Sequence, residues 1–232
     1  EVNVDESNGK RGVLTAEPLE RGFGLTLGNA IRRILLSSLQ GAAITSVKIK
    51  GVVHEFSTIP GVKEDLTDIL LNLKTIAVKV HSPGLKKMYL KSSGSGELRA
   101  GNFETDSETE IMNPDKLIMT LDSNADVEIE ANIETGKGYV SAEVAEDENK
   151  IIGEIKLDAM FSPVVRASYK VENSRVGQVT DYDKLIFEVE TNGVVSPDDA
   201  IALAARIIQD QLQAFINFDE PEVQNDQGAA EK

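Results

Sequence analysis

Residues 20–39 read ERGFGLTLGNAIRRILLSSL, and the way this stretch folds decides how the rest of the chain packs. Its apolar or small residues recur at the i, i+3, i+4, i+7 spacing of a helix, at Leu27, Ala30, Ile31, Ile34, Leu35 and Ser38. The spacing predicts a helix over 26–39, ended by Gly41 as a C-terminal cap. Leu36 and Leu39 point away from Leu27 at ~100° of rotation per residue, so we expect this helix to be covered on two sides.

The glycines of this stretch raise the question of a phosphate-binding loop. Gly22, Gly24 and Gly28 are spaced G-x-G-x-x-x-G, one residue away from the dinucleotide-binding fingerprint, and Asn29 follows where a P-loop needs Lys. No clear βαβ unit surrounds them. We therefore interpret Gly22 and Gly24 as turn residues, and Gly28 as a position where another backbone lies close.

A second helix is predicted within VSPDDAIALAARIIQDQLQAFINF, residues 195–218. Ser196 is a suitable N-cap, Pro197 suits the first helical position, and the two aspartates that follow favour the positive end of the helix dipole. Its apolar stripe consists of Ile201, Ala204, Ala205, Ile208, Leu212, Phe215 and Ile216. The stripe can pack on the protein's own sheet or on another helix in a second copy, and the pattern leaves both open.

Between these helices the chain is mostly strand-like. Alternating apolar and polar residues appear in AITSVKIKG, IAVKVHS, MYLKSS, KLIMTL, VEIEANIE, EIKLDAMFS, VRASYKVE and KLIFEVE. One short helix is predicted over 62–73, with Val62, Leu66, Ile69, Leu70 and Leu73 on one face. The fold class is therefore α+β, with mainly antiparallel sheets.

Composition narrows the possible functions. The 232 residues include 24 Lys and Arg against 39 Asp and Glu, a formal net charge of −15, so most of the surface should repel nucleic acid and acidic membranes. The chain has no cysteine, which excludes disulfides, thiol catalysis and cysteine-ligated zinc. No run of about 18 apolar residues is present. We expect a soluble cytoplasmic protein without membrane contact.

Both ends of the chain look cut or processed. The sequence begins with Glu1 rather than Met, and residues 219–232 are polar and acidic. We therefore expect a fragment of a longer protein, with residues 219–232 forming a solvated linker.

No constellation of catalytic or metal-binding residues is apparent. His54 and His81 fall in different strand-like segments without a spacing such as H-E-x-x-H. A triad of His54, Glu55 and Ser57 is disfavoured, because neighbouring side chains of a strand point to opposite faces. Arg32 and Arg33 lie ~100° apart on the helix, and either are solvated or flank the apolar face to reach groups beyond the core. We predict no catalytic residue, metal or cofactor.

Two long blocks resemble one known family. Residues 16–74 read AEPLERGFGLTLGNAIRRILLSSLQGAAITSVKIKGVVHEFSTIPGVKEDLTDILLNLK, and residues 162–218 read SPVVRASYKVENSRVGQVTDYDKLIFEVETNGVVSPDDAIALAARIIQDQLQAFINF. Both blocks are similar to the α subunit of bacterial DNA-directed RNA polymerase, whereas residues 92–150 match only loosely.

The resemblance implies an assembly scaffold with no active site of its own. In that family two identical copies pair through the two helices, and the dimer is the platform on which the β and then the β′ subunit assemble. Metal-dependent nucleotidyl transfer takes place on β and β′. The dimerisation residues expected here are Ile31, Ile34, Leu35, Ile201, Ala205, Ile208, Leu212 and Phe215.

The resemblance also implies contact residues for the larger subunits. The family's N-A-[LI]-R-R-I motif falls on residues 29–34, and its second arginine, here Arg33, is the one linked to β binding. The stretch 53–65 matches a β-facing loop. The expected β contacts are Arg32, Arg33, His54, Glu55, Phe56, Ser57 and Thr58, and the expected β′ contacts are Arg175 and Lys184.

The implied organisation has two subdomains. Residues 1–40 and 167–218 would form a discontinuous α/β dimerisation subdomain, with a β-rich subdomain, residues 41–166, inserted into it. The family's C-terminal domain, which binds upstream DNA, would follow the linker, so we expect no direct DNA binding by this chain. The alternatives are a small nucleotide-using enzyme and a scaffold of archaeal or eukaryotic type that pairs with a different chain.

Overall fold

The computed structural model describes residues 2–4, 9–52, 56–142, 153–176 and 179–216. In chain order these residues form the helices α1 (Phe23–Ser37), α2 (Leu66–Lys74) and α3 (Pro197–Gln213), a 3-10 turn at Ala100–Asn102, and the strands β1 (Val2–Val4), β2 (Arg11–Glu20), β3 (Gln40–Ile49), β4 (Val78–Val80), β5 (Lys86–Ser93), β6 (Gly96–Arg99), β7 (Thr109–Ile111), β8 (Leu117–Leu121), β9 (Asp126–Lys137), β10 (Tyr139–Val140), β11 (Glu154–Lys156), β12 (Ala159–Met160), β13 (Val164–Val176) and β14 (Val179–Thr191).

The described strands form two main sheets in which every pairing is antiparallel. The first sheet has the order β1-β2-β14-β13, so it joins the beginning of the chain to its final third. The second has the order β5-β9-β3-β4-β7, with β11 paired to β3. Two ribbons, β6–β8 and β10–β12, complete the described structure. The predicted α+β class with antiparallel sheets is confirmed.

Each main sheet has its own buried core. In the first, α1 and α3 pack on the sheet and on each other, and Leu35, Phe187 and Ala204 are almost inaccessible to solvent. In the second, strict alternation along β9 turns Val127, Ile129, Ala131 and Ile133 inward. The core of the second sheet also takes in α2 and β8, and it contains only residues between 44 and 157.

Helix α1 begins earlier than the sequence predicts, at Phe23 rather than at residue 26. Gly22 precedes it in the left-handed region (φ 88°). The N–H groups of Gly22 and Gly24 both donate to Oδ2 of Asp183 in β14, at 2.9 and 3.0 Å. This carboxylate satisfies amides that a helix N-terminus leaves unpaired, and it lies too far along the chain for a sequence pattern to reveal.

The close neighbour of Gly28 is a side chain and not a backbone, contrary to our interpretation. A Cβ at Gly28 would lie 2.5 Å from Cδ2 of Tyr169. The Tyr169 ring in turn packs against Phe187, with ring centroids 6.0 Å apart. The glycine is therefore needed to seat an aromatic side chain of β13 against the helix.

The end of α1 also differs from the prediction. The helix ends at Ser37, and the N–H of Ser38 donates to the Ile34 carbonyl at 2.9 Å. Gly41 is not its cap but a residue of β3, paired with Gly136 of β9. The chain leaves the helix early because the residues from Gln40 onward hydrogen-bond to β9.

Helix α2 begins later than predicted, at Leu66 rather than at residue 62. Val62 instead forms a bridge with Leu121, and the N–H of Lys63 donates to the Thr120 carbonyl at 3.1 Å. For α3 the predicted start is confirmed. Oγ of Ser196 accepts from the N–H of Asp199 at 3.3 Å, and Pro197 is the first helical residue.

Several strands differ from the sequence patterns, and β1, β6, β7 and β10 were not predicted. EIKLDAMFS was predicted as one strand, but it divides into β11, which pairs with β3, and β12, which pairs with β10. Strand β2 was not predicted at all. Its sequence, RGVLTAEPLE, contains Pro18 and no regular alternation, and it is a strand because β1 and β14 flank it.

We expect Gly41→Ala to destabilise the fold by about 3 kcal/mol, because overpacking against backbone has no cheap relief. A Cβ at Gly41 would lie 1.9 Å from the carbonyl oxygen of Phe161, which rests on the Gly41–Gly136 pair. Gly96→Ala is the matched control, since a Cβ on that strand glycine meets nothing within 4 Å. Urea unfolding measures both. Equal midpoints for the two variants would contradict the packing argument.

Candidate functional site

The N-terminus of α1 already holds a carboxylate. Helix N-termini attract anions, and here Oδ2 of Asp183 takes the amides of Gly22 and Gly24. A phosphate group would have to displace this carboxylate from its two donors. The geometry therefore favours the interpretation of Gly22 and Gly24 as turn residues over a nucleotide site.

Arg32 and Arg33 are adjacent but have different surroundings. Nε of Arg32 donates to the carbonyl oxygen of Ala167 at 3.1 Å, which ties α1 to β13. Arg33 is exposed, and its guanidinium makes no hydrogen bond or ion pair with any residue that the structure describes. Arg32 therefore contributes to packing of the helix on the sheet. Arg33 presents a planar set of donors to the surroundings.

The predicted β-facing segment is described only in part, because His54 and Glu55 lie outside the described residues. The ring of Phe56 is 82% exposed, Ser57 is half-buried and Thr58 is exposed. Ile59, which follows, is buried in the core of the second sheet. An aromatic ring left in water beside a buried anchor is a feature typical of a contact surface.

Glu64 fixes the end of this segment to β8. Its carboxylate accepts the N–H of Thr120 at 2.7 Å and the hydroxyl of Thr120 at 2.9 Å. Burial raises the pKa of Glu64, but the two hydrogen bonds from Thr120, together with a backbone hydrogen bond of Glu64 and the charge of Lys63, hold the pKa below its ordinary value of 4.5. The ionised carboxylate is therefore the form that the fold stabilises.

The predicted β′ residues lie on the hairpin of β13 and β14. Arg175 is exposed near the end of β13. Nζ of Lys184 donates to Oε1 of Glu17 at 2.9 Å, and Oγ of Ser174 donates to the other oxygen of Glu17 at 3.1 Å. The hydrogen bond from Lys184 is the main reason why the pKa of Glu17 is lowered. A partner that binds Lys184 must therefore compete with Glu17.

The apolar stripe of α3 divides into a covered part and an uncovered part. Ile201 is 7% exposed and packs in the core of the first sheet, as does Ala204. Leu212, in the last turn of α3, is 51% exposed. The helix ends at Gln213, before the predicted stripe does, and Phe215 (76% exposed) and Ile216 are exposed beyond it. The first half of the stripe therefore packs on the protein's own sheet, whereas packing of the exposed second half on another copy stays a prediction.

The other residues predicted for dimerisation also differ in how far they are buried. Leu35 is fully buried within the protomer, whereas Ile31 and Ile34 are half-buried at the edge of the same core. Ala205 is exposed and Ile208 is half-buried. Leu35 therefore belongs to the protomer core, and the remaining residues lie at or near the surface.

The ribbon β10–β12 is a second exposed apolar patch, and the sequence patterns missed it. Tyr139 and Met160 pair across the ribbon and are both more exposed than not. A Cβ at Gly138 would lie 3.5 Å from the carbonyl oxygen of Ser37, so the ribbon starts beside the C-terminal end of α1. Strands of two residues are too short to give a periodic signal, although the aromatic Tyr139 after a glycine is a local cue.

Asp158 anchors this ribbon. Its two carboxylate oxygens accept from the N–H of Ala142 at 2.9 Å and from Nζ of Lys74 at 2.8 Å, and these bonds lower the pKa of Asp158. The C-terminal end of α2 and the ribbon are thereby held together, next to α1.

No metal centre is formed within the described ranges, where no cluster of three or more His, Cys, Asp or Glu is placed to hold an ion. His81 lies 3.9 Å from the carboxylate of Glu110, and His54 is outside the described residues. Among the helices of the described chain, none combines the length and the apolar character needed to cross a bilayer.

One family model matches the chain. It is described as the RNA polymerase Rpb3/RpoA insert domain, and it matches residues 47–162, which is half of the chain. The matched range contains α2, the exposed Phe56, the Glu64–Thr120 contact and the ribbon β10–β12. Helices α1 and α3 lie outside it.

Replacing Glu64 by Gln should destabilise the chain by about 1 kcal/mol at neutral pH, because one of the two Thr120 donors then loses a charged acceptor. A lowered pKa means that the carboxylate stabilises the fold above its ordinary pKa of 4.5, and this contribution disappears as pH falls through the lower, folded-state pKa. Unfolding measured at several pH values should therefore show the two proteins converging in acid. A difference that stays constant with pH would contradict the assignment.

Proposed function

This chain belongs to the RNA polymerase Rpb3/RpoA insert-domain family, and from that premise we propose that it is the α subunit of a bacterial DNA-directed RNA polymerase. Family membership makes it an RNA polymerase subunit of the alpha/Rpb3 type, part of the enzyme complex that carries out transcription. The bacterial assignment is supported by the two blocks of residues 16–74 and 162–218, which resemble the bacterial α subunit over α1 and α3, outside the matched range. In this proposal the chain acts in the bacterial cytoplasm.

The proposed role is that of a non-catalytic scaffold. Two copies of the chain would pair and hold the β and β′ subunits, which carry out nucleotidyl transfer. The division into subdomains belongs to the same proposal, with residues 1–40 and 167–218 forming the dimerisation unit and 41–166 inserted. Its support is the presence of two separate buried cores, one drawn from residues 44–157 and the other mainly from the two ends of the chain.

The observation that carries the dimer proposal is the uncovered half of the α3 stripe. Leu212, in the last turn of α3, and Phe215 and Ile216, which follow the end of the helix at Gln213, come after a buried first half, yet they are exposed in the single protomer. Burying a side chain of this size stabilises an association by about 1.5–3 kcal/mol. A second copy offers the same uncovered helix by symmetry, and its α1 offers the half-buried Ile31 and Ile34.

Light scattering of the purified chain should give a mass near twice 25.2 kDa. We expect Leu212→Asp to give monomers at micromolar concentration, because a carboxylate buried without a partner costs at least ~3 kcal/mol, about a hundredfold in the dimer equilibrium. Leu71→Asp, at an exposed leucine of α2, makes the same chemical change elsewhere and should leave the dimer intact. A dimeric Leu212→Asp protein would remove this face from the interface. A chain that is monomeric alone would favour the heterodimeric type of scaffold.

The proposed β contacts come from α1 and from the segment that contains Phe56. Arg33 and the exposed ring of Phe56 are the members of the predicted set whose side chains are most available to a partner. Arg32, Ser57 and Thr58 are also proposed β contacts, as are His54 and Glu55, which lie outside the described residues. The ribbon β10–β12 adds Tyr139 and Met160 next to the end of α1, so the apolar area is larger than the sequence patterns indicated. Arg175 and Lys184 remain the proposed β′ contacts.

Arg33→Ala should weaken capture of purified β by about 2 kcal/mol, or about 30-fold, because a desolvated interface arginine with a carboxylate partner is typically a hot spot. The dimer should persist, since Arg33 is not part of the α3 stripe. Arg166→Ala is the control, because Arg166 is another exposed arginine without a described hydrogen-bond or ion-pair partner. Pull-down titrations with both variants decide the question. Equal affinity of Arg33→Ala and the unmodified chain for β would exclude Arg33.

A further inference from the structure

The oxidisable sulfur of this chain is all in methionine. The 232 residues include no cysteine and no tryptophan, and they include four methionines. When no thiol is present, the thioether of methionine is the side-chain group that a mild two-electron oxidant such as hydrogen peroxide attacks. The position of each methionine in the fold therefore decides how the chain responds to such an oxidant.

The four methionines differ widely in exposure. Met88 and Met119 are fully buried in the core of the second sheet. Met112 is half-buried. Met160, in β12, is 61% exposed. Because the oxidant must touch the sulfur, Met160 is accessible in the folded chain, whereas Met88 and Met119 can react only after the core opens.

The local structure of β12 explains why Met160 points outward. Its neighbours in sequence, Ala159 and Phe161, are both buried, and successive side chains of an extended strand alternate between faces. The N–H of Phe161 donates to the carbonyl oxygen of Gly138 at 2.8 Å, which holds the backbone beside Met160 in place. An additional oxygen atom on the Met160 sulfur therefore extends into water and requires no rearrangement of the core.

Met160 is also part of an exposed apolar patch on the ribbon β10–β12. Tyr139 lies opposite it in register, and both side chains are more exposed than not. A thioether is apolar and can be buried against a partner, whereas a sulfoxide is polar and loses hydrogen bonds to water when it is buried. Oxidation of this one sulfur atom therefore converts part of the patch from apolar to polar.

We propose that Met160 is a site of reversible oxidation by hydrogen peroxide, and that its sulfoxide weakens association through the ribbon. A lone pair of the Met160 sulfur attacks one oxygen of the peroxide, so that an S–O bond forms and the O–O bond breaks. The proton of the transferred oxygen passes to the leaving hydroxide, which departs as water. Sulfur is oxidised by two electrons and the peroxide is reduced. The effect on association rests on the proposed function, in which the ribbon contacts β, whereas the site of oxidation does not.

Peptide mass spectrometry of the full 232-residue chain after treatment with limiting peroxide identifies the oxidised residue. We expect the sulfoxide at Met160 to form at least about tenfold faster than at Met88 or Met119, and faster than at Met112. The midpoint of urea unfolding should not change, because the oxidised side chain lies outside both cores. Equal rates at all four methionines, or faster oxidation of another methionine, would overturn the proposal.

Capture of purified β measures the effect on association. The chain is oxidised, the peroxide is removed with catalase, and β is then added. We expect capture to weaken about tenfold, because an apolar contact is lost, and to recover after treatment with methionine sulfoxide reductases. The affinity of Met160→Leu for β should be the same before and after peroxide. Met112→Leu is the matched control, and peroxide should weaken its capture of β as it does for the unmodified chain.

Two outcomes separate this inference from the proposed function. Undiminished capture of β by a chain whose Met160 is fully oxidised would overturn the effect on association and leave the scaffold proposal intact. Failure of the unoxidised chain to capture β would overturn both the proposed function and that effect. In either case the peptide map decides independently whether Met160 is the oxidised residue.

Discussion

The carboxylate of Asp183 joins the two ends of the chain at the point where α1 begins. Its Oδ2 accepts the N–H groups of Gly22 and Gly24, which are 161 and 159 positions away in sequence. Beside it, β2 pairs with β14 along nearly its whole length. Closing so long a loop costs entropy that grows only slowly with length, and the buried core around Leu35 and Phe187 offsets it. Everything between the two ends can then fold around a core of its own.

This arrangement explains how one helix can serve two purposes. Along α1, Leu35 faces the sheet and α3, and Arg32 is bonded to the carbonyl oxygen of Ala167, so the helix is held from its start to its last turns. Arg33 is then presented from a rigid element, which is what a hydrogen-bonded contact with a larger subunit requires. In the proposed scaffold, the fold of the protomer positions the binding residues before any partner arrives.

The two sheets use their outer surfaces differently. Exposed apolar side chains include Leu212 in the last turn of α3, Phe215 and Ile216 just after it, and the ribbon β10–β12, with others such as Phe23, Leu25 and Phe56 elsewhere. The outward face of the second sheet has neighbouring lysines and carboxylates in cross-strand register, which keeps that face in water despite its size.

The α+β class, the amphipathic helices, the cap at Ser196 and the family resemblance could all be predicted from local sequence, because each depends on residues close together in the chain. Local sequence did not determine the start of α1, the role of Gly41, the start of α2 or the ribbon at Tyr139. The start of α1 depends on Asp183, and the role of Gly41 depends on Phe161. The start of α2 depends on Thr120, and the ribbon depends on Met160. All four contacts join residues that are distant in sequence, and no local pattern records them. The different surroundings of Arg32 and Arg33 likewise depend on where β13 lies. In the sequence the two adjacent arginines look alike, and only the fold brings the Ala167 carbonyl oxygen within reach of Arg32.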